Sequence, residues 1–455
     1  MEKLFKEFSP KTLLQWNKKV IDDLKGLDYE KLIWKSPEKI SVAPIYNDES
    51  VKKFEGETTH QHSDWEIEQK FLKPTNKKVL DSLNTGATAL LLYNLKSTDL
   101  DSILKEVLIE HIQTSIQSEN IEDALESFVK LLEKRKLDKT KIRGSLHFDP
   151  LMSFLKNGTI DSNFWIKFNH IQEKSSALKS FKTLCIQGHE YHNSGATASQ
   201  ELAFTLAQLS EYFAHNKNLK ATKIQISLGI STNYFFEIAK FRAIRILWSQ
   251  LLDAYKKEHT PLDLRAESGL RTSTLYDAHI NMLRSTSQCM SAALGGANTI
   301  SVNNLNAAYK EEDVFGSRMA RNTSLILKEE AYLNNVSDPA SGSYYIEELT
   351  NEMSLKAWSI FKEIEAHGGW IEAIKSNKIQ QMIEESASKQ EALFNAGELS
   401  LIGTNLHPNG KDKMLNELEI SFVKNRTKPT EFKPLHSKRL SEQMDTIRLN
   451  EEKNA

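Results

Sequence analysis

Eight times along this chain, a short run suited to an extended strand is followed by a longer run at helical period. The strand-like runs are ATALLLYN (87–94), HIQTSIQ (111–117), KIRGSLHF (141–148), KTLCIQG (182–188), KIQISLGI (223–230), LDLRAES (262–268), NTISVNN (298–304) and YLNNVSD (332–338). Between them lie stretches such as Ala198, Leu202, Leu206, Leu209 and Phe213, which share one helical face. Thr197 and Gln200 are placed to form a capping box at its start. Such alternation calls for parallel strands joined by helical crossovers, and eight is the number that closes a barrel. A doubly wound open sheet competes, but no glycine-rich phosphate loop follows any of these runs. The expected fold is α/β, a (β/α)8 TIM barrel.

The barrel is expected over residues 46–400, with an N-terminal arm over 1–45 and a polar, mostly exposed helical tail over 401–455. In the arm, FSPKTLLQWNKKVIDDL reads as a helix with Ser9 as N-cap and Pro10 at its first position. Phe5, Phe8, Leu13 and Trp16 recur at near-helical spacing, suited either to wrapping a partner or to packing on this barrel. The formal charge of −2 offers no electrostatic attraction for nucleic acid or an acidic membrane. The two cysteines, Cys185 and Cys289, fit a reducing compartment better than a disulfide framework. The N-terminus shows no apolar signal core, and no apolar run approaches the roughly 20 residues that span a bilayer. A cytoplasmic location, away from membranes, is expected.

Two strands alternate unusually. Gln113, Ser115 and Gln117 share one face, as do Gln225, Ser227 and Gly229. Barrel interiors are ordinarily filled by bulky branched residues, so these faces predict either an open, hydrated axis or a satisfied polar layer. Functional groups in such a fold sit in the loops after the strands. Those positions hold Asp149 and Pro150; His189, Tyr191 and His192; Ser231 and Asn233; Asn303 and Asn304; and Asp338. This rim carries no paired carboxylates, no Cys-His arrangement and no nucleophile elbow. His189 and His192 are three apart rather than four, which excludes a zinc-protease helix. His279, in DAHINM, superficially matches a cobalamin-ligating Asp-x-His, but Met282 replaces the required glycine and the segment reads as a barrel helix.

GHEYHNSGATASQELAFTLAQ (188–208), FFEIAKFRAIRILW (235–248), YDAHINMLRSTSQCMSAALGG (276–296) and RMARNTSLILKEEAYLNNVSDPASGSYYIEELT (318–350) together resemble methylmalonyl-CoA mutase. The likeness extends to LIWKSPEKISVAPIY near the N-terminus and to LIGTN (401–405). The resemblance implies a (β/α)8 barrel whose axis is threaded by the pantetheine arm of coenzyme A. It also implies a radical interconversion of succinyl-CoA and methylmalonyl-CoA, begun by adenosylcobalamin. The cofactor supplies the hard chemistry and the protein orients and shields. Tyr191 and His192 match a Tyr-His pair that touches the thioester in catalytic chains, and Arg265 matches an arginine of an Arg-x-His-x-Gln-Thr segment.

The sequence departs from the catalytic pattern in four places. THQHSDWEIEQKFLK (59–73) stands where a tyrosine-bearing segment closes over cobalamin and substrate, and it keeps Trp65 and Gln69 but no tyrosine. The Gln-Asn-Asp loop has no match before KTLCIQG. RAESGLRTS retains Arg265 without its His and Gln partners. The chain also stops near where a cobalamin domain would begin, so no cobalamin-binding domain is expected. These departures imply the small, non-catalytic subunit of a heterodimer, with adenosylcobalamin bound by the large catalytic partner and Tyr191 and His192 inherited rather than working. Two alternatives stay open: a substrate-binding barrel that uses cobalamin from a separate chain, and an acyl-CoA-sensing regulatory subunit.

Overall fold

The computed structural model describes residues 9–51, 62–93, 100–420 and 430–454. A two-stranded antiparallel ribbon, β1 (Trp34–Lys35) with β2 (Ser41–Val42), precedes the barrel. The barrel strands follow in chain order: β3 (Glu66–Phe71), β4 (Ala89–Tyr93), β5 (Gln113–Gln117), β6 (Gly144–Ser145), β7 (Phe181–Lys182), β8 (Leu184–Gln187), β9 (Ile224–Ile230), β10 (Asp263–Ser268) and β11 (Thr299–Ser301). Neighbours pair in parallel around the whole ring. Isolated bridges from Gln113 to Arg143 and from Ile116 to Leu146 join β5 to β6, which pairs with β7. β7 and β8 are one strand interrupted at Thr183, so the ring has eight positions. It closes where Thr299 of β11 lies opposite Glu66 of β3.

The weak seam between β5 and β6 has a local cause. Gly144 sits at φ +134°, and a Cβ there would run into the Thr114 carbonyl. Only glycine lets the two backbones approach so closely.

The ring differs from the sequence expectation at both ends. YLNNVSD (332–338) forms no strand; Tyr332 and Asp338 adopt φ +56° and +45°, and the segment turns so that Asp338 pairs with buried Arg242. The missing strand is β3, inside the segment expected to close over a substrate. There Ile67 and Phe71 face the helical layer, while Glu66, Glu68 and Lys70 alternate with them. Outside the ring, apolar side chains of strands and helices form two large clusters, one including Ile226, Leu228, Leu264 and Ile300 and the other Leu90, Leu92 and Ile116. The helix Ala198–His215 begins with the expected capping box between Thr197 and Gln200.

The arm helix, Leu13–Asp23, starts later than expected, capped by Thr12 rather than Ser9. It buries no residue, and Leu14 and Ile21 are 78% and 51% exposed. Leu13 and Trp16 are half-buried; Phe5 and Phe8 lie outside the described residues. Farther along, the arm is anchored. The buried Glu38 carboxylate accepts the Ala198 and Ser199 N–H groups at 2.7 and 3.0 Å, where the start of an 18-residue helix favours negative charge.

The C-terminal tail is exposed over about half of its described residues, but it is anchored. Phe432, Leu435, Leu440 and Leu449 are buried, and Arg439 pairs with buried Asp445 at 2.6 Å. Backbone bonds from Leu435, Lys438 and Leu440 to Leu155, Asn193 and Arg271 lay this strap across the loops that follow β6, β8 and β10.

Candidate functional site

The barrel axis is where the alternation of the strands meets. From its N-terminal end, Ser145 Oγ donates to Gln225 Oε1 and shares a 3.0 Å bond with Ser115. Gln225 reaches Asp263, and Thr299 reaches Gln113. In the next layer Arg265, fully buried, donates through Nε and Nη2 to Glu68 at 2.9 and 2.5 Å. Its Nη1 donates to Ser227 Oγ and Glu267 Oε2, both at 2.8 Å. Above it Lys70 joins Glu267 at 2.8 Å and also bonds Asn303. Of the two readings of these faces, the polar layer describes most of this axis, although the Ser301 hydroxyl on the same side of β11 has no partner.

Two cations and two carboxylates balance within this cluster. Burial opposes the Arg265 charge, yet Glu68 and Glu267 overcome it and hold the guanidinium well above its ordinary range. Burial would raise Glu267, but Lys70 and Arg265 hold it well below the usual carboxylate range. Arg265, the residue matched to the arginine of the Arg-x-His-x-Gln-Thr segment and expected from that resemblance to touch substrate, is thus engaged by two carboxylates of its own chain.

Tyr191 and His192 are adjacent in the short helix His189–Asn193 but serve different surroundings. Tyr191 is fully buried in the helical layer, where its hydroxyl donates to Gln208 Oε1 and accepts from Trp370 Nε1, both at 2.8 Å. Burial pushes its phenol well above the ordinary range. Gln208 continues to Asp149, which also accepts from Tyr212 Oη and from the Gln187 and Met152 N–H groups. Asp149, read from sequence as a rim residue, is therefore a buried hub that caps the helix Pro150–Asn157. Burial raises its carboxyl to about 6 despite these donors.

His192 lies over the ends of β9 and β10. A Cβ at Gly229 would fall 2.6 Å from its Cδ2, and one at Gly269 would meet its Nε2. The glycines make room for the ring. Burial, with Lys240 and Arg271 nearby, pulls its pKa well below the usual value. His189 bonds Ser227 Oγ at 3.1 Å, and burial lowers its pKa also. His147, which the sequence reading passed over, is buried with Nε2 unpartnered and a pKa pulled far down by burial. The signal for Glu68, Lys70 and Glu267 was present as charges alternating with apolar residues in EIEQKF and RAES.

The remaining rim positions are structural. Ser231 bonds Glu237 at 2.6 Å beside the wholly buried Lys240. Asn303 bonds Ser268, and Asp338 serves Arg242. His279 is exposed at the start of the helix Ile280–Leu294. Among the described residues, no group of three or more His, Cys, Asp or Glu side chains could hold a metal ion. A corrin would have to lie over the C-terminal mouth, which the strap through Leu435 and Leu440 crosses.

Fold and axis together define a parallel α/β barrel whose axis carries a buried cluster of ion pairs. A sequence profile described as "Methylmalonyl-CoA mutase" matches residues 94–452. A protein named methylmalonyl-CoA mutase small subunit from Porphyromonas gingivalis is 31% identical, over 99% of this chain and 79% of its own length. One of the same name from Streptomyces virginiae is 30% identical over 70% of this chain and 54% of its own. The methylmalonyl-CoA mutase of Rhizobium meliloti is 32% identical over 67% of this chain and 44% of its own. The chain belongs to the methylmalonyl-CoA mutase family.

Proposed function

We propose that this chain is the small subunit of a heterodimeric methylmalonyl-CoA mutase, interconverting succinyl-CoA and methylmalonyl-CoA only as part of that complex. It acts as a non-catalytic companion that stabilises a large catalytic subunit, and adenosylcobalamin is held by that partner. The carrying observation is the filled axis. The resemblance threads the pantetheine arm through the barrel, and here Arg265, Glu68, Glu267 and Lys70 bond one another across that passage. Admitting a ligand would separate buried charges, each carrying a desolvation penalty of several kcal/mol. Tyr191, turned into the helical layer, agrees with an inherited role. The exposed apolar face of the arm helix supports contact with the partner, since obligate interfaces are large and apolar.

Among the described residues no helix is long and apolar enough to cross a membrane; a cytoplasmic location belongs to the same proposal. The test is mutase turnover of the reconstituted complex with His192→Ala in this chain, after intact assembly has been shown. An unchanged rate is expected. A loss of roughly 100-fold, the scale of removing a charge-stabilising donor, would place a working site in this barrel and overturn the reading.

A further inference from the structure

A cavity lies outside the barrel wall. It has a volume of about 500 Å³, within the range of small-molecule pockets. It opens between the helices Asn76–Asn84 and Val314–Leu325, against the outer face of β3. Because Glu68 and Lys70 point to the axis, Gln69 and Phe71 point to this cleft.

The donors that line the cleft are only partly used. Arg321 is fixed by bonds from Nε to Thr85 O at 2.9 Å and from Nη1 to Gln69 Oε1 at 3.3 Å. Its Nη2 has no protein partner among the described residues. Arg318, one turn earlier, is exposed and forms no ion pair among the described residues. Ser82 is 3% exposed, yet its hydroxyl has no hydrogen-bond partner. A buried hydroxyl left without a partner carries a desolvation penalty that a ligand oxygen would remove. Phe71 and Val314 supply apolar wall.

The acidic residues narrow the choice of ligand. Glu312 pairs with Lys78 at 2.9 Å, and Asp313 caps its helix through the Gly316 N–H. Asp81 acts on Arg321 without forming an ion pair. Three carboxylates around the cleft oppose a multiply charged phosphate, whereas two guanidinium groups suit one planar carboxylate.

We infer that this cleft binds a small organic monocarboxylate, its carboxylate on Arg321 and Arg318 and its apolar body against Phe71 and Val314. The inference is independent of whether the barrel axis is catalytically silent. The test is calorimetric titration of the full chain with octanoate, with octanamide and inorganic phosphate as controls. Saturable binding of octanoate at one site is expected, with octanamide and phosphate each weaker by about tenfold or more, the size of one charge-assisted contact. Arg318→Gln, at an exposed position, should weaken octanoate by about tenfold with the melting temperature unchanged. Val314→Asp, which suits a helix start but sets a carboxylate in the cleft, should do the same. Absence of saturable binding would overturn the inference, as would phosphate or octanamide binding as tightly, or octanoate affinity unchanged in both variants.

Discussion

A residue carried by resemblance keeps its identity more readily than its work. Arg265 makes the point, since a matching arginine is here satisfied by Glu68, Glu267 and Ser227 of its own chain. Removing it leaves two buried carboxylates with one cation. Arg265→Met is therefore expected to lower stability by about 3–5 kcal/mol, read as a shift in urea midpoint. Adding Glu68→Met removes the one carboxylate left without a cation and keeps the Lys70–Glu267 pair, so the double variant should regain most of the loss. Equal losses in the single and double variants would show that the guanidinium is not stabilised by these carboxylates. Tyr191→Phe tests its neighbour in the same way. The Trp370 N–H and Gln208 carbonyl lose their shared partner in the core, at a cost of about 1–3 kcal/mol, while turnover of the assembled complex should not change. A turnover loss with stability intact would return Tyr191 to the chemistry.

Elements divide into those that sequence pattern locates and those it hides. β4, β5, β8, β9 and β10 fall within the expected runs because apolar residues such as Leu90, Leu92, Ile224 and Ile226 alternate toward the helical layer. β3 was hidden because its inward face is charged; Glu68 and Lys70 read as surface until Arg265 and Glu267 stand opposite them. The tail was hidden by averaging, since a few buried anchors such as Phe432 and Leu440 are diluted by exposed lysines and glutamates. Tyr191 and His192 were legible as residues, but which side of the helix each faces depends on Trp370 and Gly229, far away in sequence. The arm helix supplies the prediction at this scale. Leu14→Asp with Ile21→Asp alters an exposed face, so the isolated chain should keep its stability within about 0.5 kcal/mol. Affinity for the large subunit should fall by about tenfold or more, as when interface anchors are truncated. Undiminished affinity in a pull-down or calorimetric titration would place the interface elsewhere.

At the scale of the whole molecule, the buried ionisable groups set how stability responds to pH. His147, His189 and His192 all have pKa values lowered by burial. Below the ordinary histidine value of about 6.5 the unfolded chain takes up protons at these positions more readily than the fold does, so they weaken the fold as pH drops. Two carboxyls act in the opposite direction. Burial raises Asp149 to about 6 and Glu201 to about 7, the latter despite its 2.9 Å pair with Lys240. Between those values and the ordinary carboxylate range, the fold binds two protons that the unfolded chain releases. These two carboxyls partly offset the histidines, so acidification toward pH 5.5 costs less stability than the histidines alone would impose. His192→Asn removes one of the three histidines while the smaller side chain still fits over Gly229 and Gly269. Urea unfolding of both proteins between pH 5 and 8 should therefore give curves that diverge below pH 6.5, the variant losing less stability by about 1.4 kcal/mol per unit. Parallel curves would mean that His192 is protonated alike in the folded and unfolded chain, and that the mouth of this barrel is wetter than its packing against the two glycines allows.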